Sequence, residues 1–231
     1  MASSSQNTLQ LINYFMSLKD YQLTFKSYIK FEAISLFGRL FLNNPPPIVN
    51  PDVKLLNLGC GKTIFEDWVN ADFFRIKFWK DSKEIWRQDL RYPLKCPSHY
   101  WDGIFTEHVI EHLYPIDGFN LLKEILRTLK PKAWLRITVP DLKKYVDFYS
   151  GKNQEKDFCQ KWSTGAEAIG SLTQSWGHLS VWDSDLLGRT LQEVGFSNIR
   201  EVGFSEGTDL RLIKDDPKRQ WESLYMEAQK P

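Results

Sequence analysis

Cysteine is scarce and scattered in this chain: Cys60, Cys96 and Cys159 are the three among 231 residues. An odd number at wide spacing, with no Cys-x-x-Cys, excludes a disulfide framework and a cysteine zinc site, and a reducing cytoplasmic setting is expected. Charge of one sign is missing as well. There are 30 basic and 29 acidic residues, a formal +1, and neither terminus carries an acidic or basic tail, so nothing electrostatic points to a nucleic acid partner. No stretch approaches the ~18 consecutive apolar residues of a membrane span, and the start lacks the basic, apolar and small-residue pattern of a secretory signal. No integral membrane segment is expected. Oligomeric state stays open. Aromatics, by contrast, are abundant at 14 %, nine of them tryptophan, enough to line a pocket as well as fill a core.

The organising stretch is Val53 to Lys62, Val-Lys-Leu-Leu-Asn-Leu-Gly-Cys-Gly-Lys. It reads as a buried strand that breaks into a glycine turn, where a ligand can approach the backbone without a Cβ in the way. Before it, Tyr14 to Phe41 repeat apolar residues at helical intervals, and Asn43 to Pro47 stop the helix. Residues 1–50 are therefore expected to form a helical cap or extension, and 51–231 the main domain. After the turn, Trp68–Asp72, Ile85–Leu90, Tyr100–Thr106 and Trp134–Val139 read as strands. Helices are expected from an Asp117 cap to Leu129, from Pro140-Asp141 to Tyr149, and from an Asp183 or Ser184 cap to Val194. Residues 150–180 read as a polar, irregular insertion. Ile199–Phe204 and Ser223–Ala228 supply two last strands. Alternation on this scale predicts an α/β fold with a mostly parallel sheet and helices on both faces.

Gly59, Asp72, Asp89 and the pair Glu107-His108 each close a successive strand, so one sheet edge gathers them. A carboxylate at the end of a second strand can accept both hydroxyls of a ribose, and Asp89 with the Leu90 backbone N–H can meet an adenine.

These residues carry a resemblance. Leu-Asn-Leu-Gly-Cys-Gly, Asn70-Ala71-Asp72, Asp89-Leu90, Thr106 to Leu113, Leu129-Lys130-Pro131 and Leu135 to Asp141 resemble the class I S-adenosylmethionine-dependent methyltransferases of the small, type 11-like methyltransferase-domain group. The resemblance runs from about Lys54 to Lys230. It implies a Rossmann-like, doubly wound seven-stranded sheet in the order 3-2-1-4-5-7-6, behind an N-terminal helical extension. It also implies S-adenosylmethionine as cofactor, with Gly59, Cys60 and Gly61 around the methionine part, Asp72 on the ribose, Asp89 and Leu90 on the adenine and Glu107 on the amino-acid end. The chain departs from the pattern at Asn57, where an acid is common, at Thr63, and at Lys132-Ala133, where two glycines are usual.

The expected reaction is methyl transfer to a small molecule, a hydroxyl of a sugar or other metabolite ahead of an amine or carboxylate. His178, taken to have a near-neutral pKa, is the first candidate base and His108 the second. Two alternatives come from particular residues. The departures at Asn57, Thr63 and Lys132-Ala133 suit an inactive methyltransferase-fold binding protein. His108-Val109-Ile110-Glu111-His112 matches H-x-x-E-H, the inverted zinc-peptidase signature, although Pro115 follows closely and no metal site is expected.

Overall fold

The computed structural model describes residues 24–42, 44–73 and 85–231; the helical periodicity of residues 11–23 falls outside them. Helix α1, Phe25–Phe41, starts where the Thr24 side chain accepts from the Ser27 N–H. It buries only Ser35 and Gly38, while Phe25, Tyr28, Ile29, Phe37 and Leu40 stay exposed.

The sheet contains β1 Leu55–Leu58, β2 Val69–Asp72, β3 Ile85–Arg87, β4 Trp101–Glu107, β5 Leu129–Pro140, β6 Ser197–Val202 and β7 Ser223–Gln229. Its order is β3-β2-β1-β4-β5-β7-β6, as the resemblance implies. The first five strands run parallel, and β7 is antiparallel to both β5 and β6. β1 is buried at every position, as a central strand covered on both faces must be. Leu56, Leu58, Ile104, Leu135 and Ile137 form its core with Leu121, Leu122 and Ile125 of helix α2, Pro115–Thr128.

Three local expectations are corrected. Helix α2 starts earlier than an Asp117 cap would allow: Tyr114 is its N-cap and Pro115 takes the first helical position, where its fixed φ and missing N–H suit the helix. Asp117 instead lies in the first turn, favourable to the helix dipole. Strand β5 is twice the expected length, because Lys130 to Ala133 continue it. Residues 150–180 are not irregular. After helix α3, Leu142–Tyr149, come α4, Lys156–Lys161, and α5, Gly165–Gln174, which opens on a reciprocal Thr164/Glu167 capping box. Tyr145, Phe158, Trp162, Ala168 and Leu172 give this segment its own buried cluster. Helix α6, Ser184–Val194, runs from its Asp183 cap to Gly195, at φ 109°.

The departures from the glycine pattern have structural reasons. Buried Asn57 donates through Nδ2 to the Thr63 carbonyl at 2.8 Å and to Asn70 Oδ1 at 3.0 Å. An aspartate there could make neither bond. Lys132 adopts φ 66°, the conformation a glycine would take freely; its N–H donates to Lys230 O at 3.0 Å, and its carbonyl accepts from Gln229 Nε2 at 2.8 Å. The turn survives because the last residues of the chain clamp it.

Candidate cofactor and active site

β1 ends in a turn that β2 fixes. The N–H groups of Gly59 and Cys60 both donate to the Ala71 carbonyl, at 2.8 and 2.9 Å. Gly59 sits at φ 74°, and a Cβ built there would stand 2.3 Å from Val109 Cγ2. Gly61, at φ 53°, has nothing among the described residues within 4 Å of where its Cβ would be. The turn is thus packed on one side and open on the other. Asp72 faces it from the end of β2: Oδ2 accepts from the Gly61 N–H at 2.7 Å, and Oδ1 from the Phe73 N–H at 2.6 Å. These bonds hold the carboxylate at the rim with lone pairs to spare for a diol. Cys60 is buried, and burial, then the Asp72 charge, pushes its thiol up to about 12, which leaves it inert beside the turn.

The next strand end is already occupied. Asp89 is buried, and Arg91 binds both its oxygens, from Nε at 3.0 Å and Nη2 at 2.7 Å, while Ser35 of α1 donates to Oδ2 at 2.5 Å. Burial alone would raise this carboxyl, but the hydrogen bonds from Arg91 and Ser35 outweigh it and hold it below the usual carboxylate range. Arg91 also reaches Glu32 of α1 at 2.5 Å and lies over the Phe31 ring. The Asp89-Leu90 segment therefore borders the site with its carboxylate turned into protein contacts. Helix α1 is part of that wall, and the sequence signal for it was the pair Ser35 and Gly38, small residues on one side of an aromatic helix.

At the end of β4, Glu107 Oε1 accepts from the Asp216 N–H at 3.0 Å, and burial raises its pKa. His108, at φ 52°, is buried; its Nε2 lies 2.7 Å from Ser223 Oγ. Desolvation first, then the charge of Arg219, depresses His108 well below its ordinary value. The H-x-x-E-H stretch lies not on a long helix but on a single 3-10 turn, Ile110–His112, so the context of a zinc peptidase is absent. Glu111 is 1 % exposed, and burial raises its pKa to about 8.

His178 follows α5 in a turn pinned beneath this one: the N–H groups of Leu179 and Ser180 both donate to the Glu111 carbonyl, at 2.7 and 3.1 Å. Its Nδ1 lies 2.6 Å from the Leu172 carbonyl. A carbonyl only accepts, so Nδ1 carries the proton and Nε2 the lone pair. Burial lowers its pKa to about 4 against the raising effect of that bond, which corrects the near-neutral value expected. The His112 and His178 rings stand edge to face at 4.9 Å. Lys161, whose ammonium sits over the rings of Trp162, Trp176 and Trp221 at 4.6 to 4.9 Å, adds positive charge near His108.

Tyr145 is fully buried with its hydroxyl on Glu222 at 2.8 Å. Trp182 is buried with its N–H on Ser180. Arg211 is far from the site, paired with Asp209 and the carbonyl of Asp102, at the opposite end of β4.

The sequence profile of the methyltransferase domain matches residues 25–201. No curated protein matches the chain. Among solved structures, an S-adenosylmethionine-dependent methyltransferase from Archaeoglobus fulgidus is 18 % identical over 94 % of this chain and 99 % of its own, with a TM-score of 0.51. A possible exported protein from Bordetella parapertussis is 14 % identical over 87 % and 67 %, with a TM-score of 0.50. At such identities the likeness speaks for the fold. The profile match and the 3-2-1-4-5-7-6 sheet together establish that the chain belongs to the methyltransferase-domain family, as a class I S-adenosylmethionine-dependent methyltransferase.

Proposed function

We propose that this enzyme methylates a hydroxyl of a small molecule, holding S-adenosylmethionine across the carboxyl ends of β1, β2 and β4. The observation that carries the reading is that Gly61 donates its N–H to the Asp72 carboxylate while no described atom lies within 4 Å of its Cβ position. Gly59 to Gly61 fit the methionine part, Asp72 the ribose diol and Glu107 the amino-acid end. Asp89 and Leu90 bound the adenine side together with α1, which closes the pocket there. When bound, S-adenosylmethionine supplies a methyl carbon on a sulfonium.

The chain's own residues orient the acceptor and handle its proton. The α4 and α5 segment roofs the site with its own buried cluster, which suits a small acceptor better than a macromolecule. His178, kept neutral by burial, takes the acceptor proton at Nε2; so weak a base supports the low end of the ~10² to 10⁴ range of general base catalysis. His108, held by Ser223, positions the turn.

Calorimetric titration with S-adenosylmethionine and S-adenosylhomocysteine, followed by turnover on hydroxylated, amine and carboxylate acceptors, tests the reading. Binding with methylation of hydroxyl acceptors supports it. Binding with methylation confined to amines overturns the acceptor assignment, and no binding overturns the site.

A further inference from the structure

Glu111 is a buried carboxyl that the mechanism does not use. Among the described residues, neither oxygen finds a hydrogen-bond partner beyond its own backbone N–H. The closest side-chain nitrogens are those of histidines: His108 Nδ1 at 3.5 Å and His112 Nε2 at 3.9 Å from Oε1. A buried oxygen pair without donors is costly, and it is retained where something else satisfies it.

One ligand atom each from Glu111, His112 and His178 lies within 4.8 Å of the other two. Ligands ~2.1 Å from a shared ion stand roughly 3 to 3.5 Å apart, so modest side-chain rotations close the three on one centre. His178 is prepared for this, since Nδ1 donates to the Leu172 carbonyl and Nε2 faces away with its lone pair. That is the usual outer bond of a metal-bound imidazole. The backbone holds the parts together independently of any ion, because the His178 turn hangs from the Glu111 carbonyl by two N–H bonds. The surroundings do not repel a cation on balance: Arg219 and Lys161 are offset by Glu107 and Glu222.

We propose that Glu111, His112 and His178 form a binding site for one divalent transition ion of the zinc class. Two imidazoles and one carboxylate select zinc, cobalt or iron over magnesium and calcium, which prefer oxygen. The set differs from the H-x-x-E-H reading, because His108 is committed to Ser223 and His178, 66 residues beyond His112, takes its place. Three protein ligands leave a coordination position open for water. The ion and the acceptor proton would share His178 Nε2, so the ion-bound state is not the one in which His178 acts as the base, and the metal site stands independently of the proposed function.

The test is titration of the chelator-treated full chain with Co²⁺, followed by visible absorption, and then with Zn²⁺ by calorimetry. One equivalent should bind, with the d–d bands of a four- or five-coordinate site, and Zn²⁺ should raise Tm. Glu111→Gln, which keeps the shape and removes the buried charge, should lose at least 10-fold in affinity together with the Tm rise. His112→Asn, at a half-exposed position tolerant of change, should do the same. His99→Asn, exposed before β4, should bind like the parent. No binding by the parent, undiminished binding by Glu111→Gln and His112→Asn, or loss on His99→Asn overturns the site. S-adenosylmethionine binding on the same samples reports separately on the proposed function. Ion without cofactor leaves the metal site and removes methyl transfer; cofactor without ion does the reverse.

Discussion

The ring of Phe31 lies 4.4 Å from that of Phe73 and 12° from parallel with it. Phe31 belongs to α1, and Phe73 follows directly on the carboxylate at the end of β2, so a residue upstream of the sheet packs on the rim of the proposed cofactor site. Around the stack, Ser35 reaches Asp89, Glu32 reaches Arg91, and Arg39 lies 3.6 Å over the Tyr92 ring. The helix is thus held by a few polar and aromatic contacts and not by a broad apolar face. Ser35→Ala should accordingly cost about 1.5 to 3 kcal/mol, the value of a hydrogen bond to a charged group. Hydrogen exchange across residues 25–41 should speed up while β4 and β5 stay protected; unchanged protection in α1 would show that the bond contributes nothing.

The same contact has a pH signature. The folded pKa of Asp89 lies below its unfolded value, so its contribution is complete above about pH 4 and is lost as pH falls through the folded pKa. Asp89→Asn lacks this dependence. The stability gap between parent and variant, measured by urea unfolding, should therefore be constant from pH 8 to 5 and shrink below about pH 4. A gap that widens on acidification would reverse the sign and remove the assignment.

Arg136 offers a test at the other end of β5's partners. It is fully buried, paired with both oxygens of Asp215 at 2.7 and 2.5 Å, and it donates to the Glu206 carbonyl at 2.7 Å. This ties the segment between β6 and β7 to the sheet. Asp215→Ala takes from the buried guanidinium its bidentate partner and leaves only Glu227, 3.6 Å from Nη1; breaking a buried pair costs about 3 to 5 kcal/mol. For a chain of this size that corresponds to a Tm drop of roughly 6 to 20 °C. Asp209→Ala, whose exposed Arg211 is its partner, should change Tm little; equal drops would mean burial does not set the cost.

The strand ends were legible because hydrophobic alternation and glycine punctuation are local signals. Gly59, Asp72 and Glu107 fall on the edge that their spacing indicated. What escaped was long-range. No periodicity tells that Ser35 will meet Asp89 or that His108 will meet Ser223, 115 positions away. The α4 and α5 helices were hidden because Gly165 and Gly170, with Ser163 and Thr164, look like loop text. Gly165 is needed for packing: a Cβ there would stand 2.4 Å from the Tyr149 Cα. The near-neutral pKa expected of His178 fails because burial sets its value, and burial is not written in its neighbours.

Asp72→Ala should weaken S-adenosylmethionine binding by about 1 to 3 kcal/mol, read by calorimetry. The carboxylate also accepts from the N–H groups of Gly61 and Phe73, so the variant loosens the turn as well as losing the diol contact. Asp72→Asn can keep one of those bonds and should fall between the parent and Ala. Parent-like affinity in both would take Asp72 out of the ribose site.

The two turn glycines separate packing from ligand space. Gly59→Ala places a methyl group 2.3 Å from Val109 Cγ2 at a φ of 74°, so backbone strain and a clash in the β4 turn add together. Overpacking of this kind costs about 1 to 3 kcal/mol, with left-handed backbone strain of roughly another 1 to 2 kcal/mol. Gly61→Ala meets no described atom within 4 Å, so only the strain term applies and the fold should lose about 1 to 2 kcal/mol. Its methyl group, however, points into the space assigned to the cofactor. Gly61→Ala should therefore be the milder variant by Tm and still lose cofactor affinity at least tenfold. If it binds S-adenosylmethionine like the parent, the open side of the turn is not where the cofactor lies.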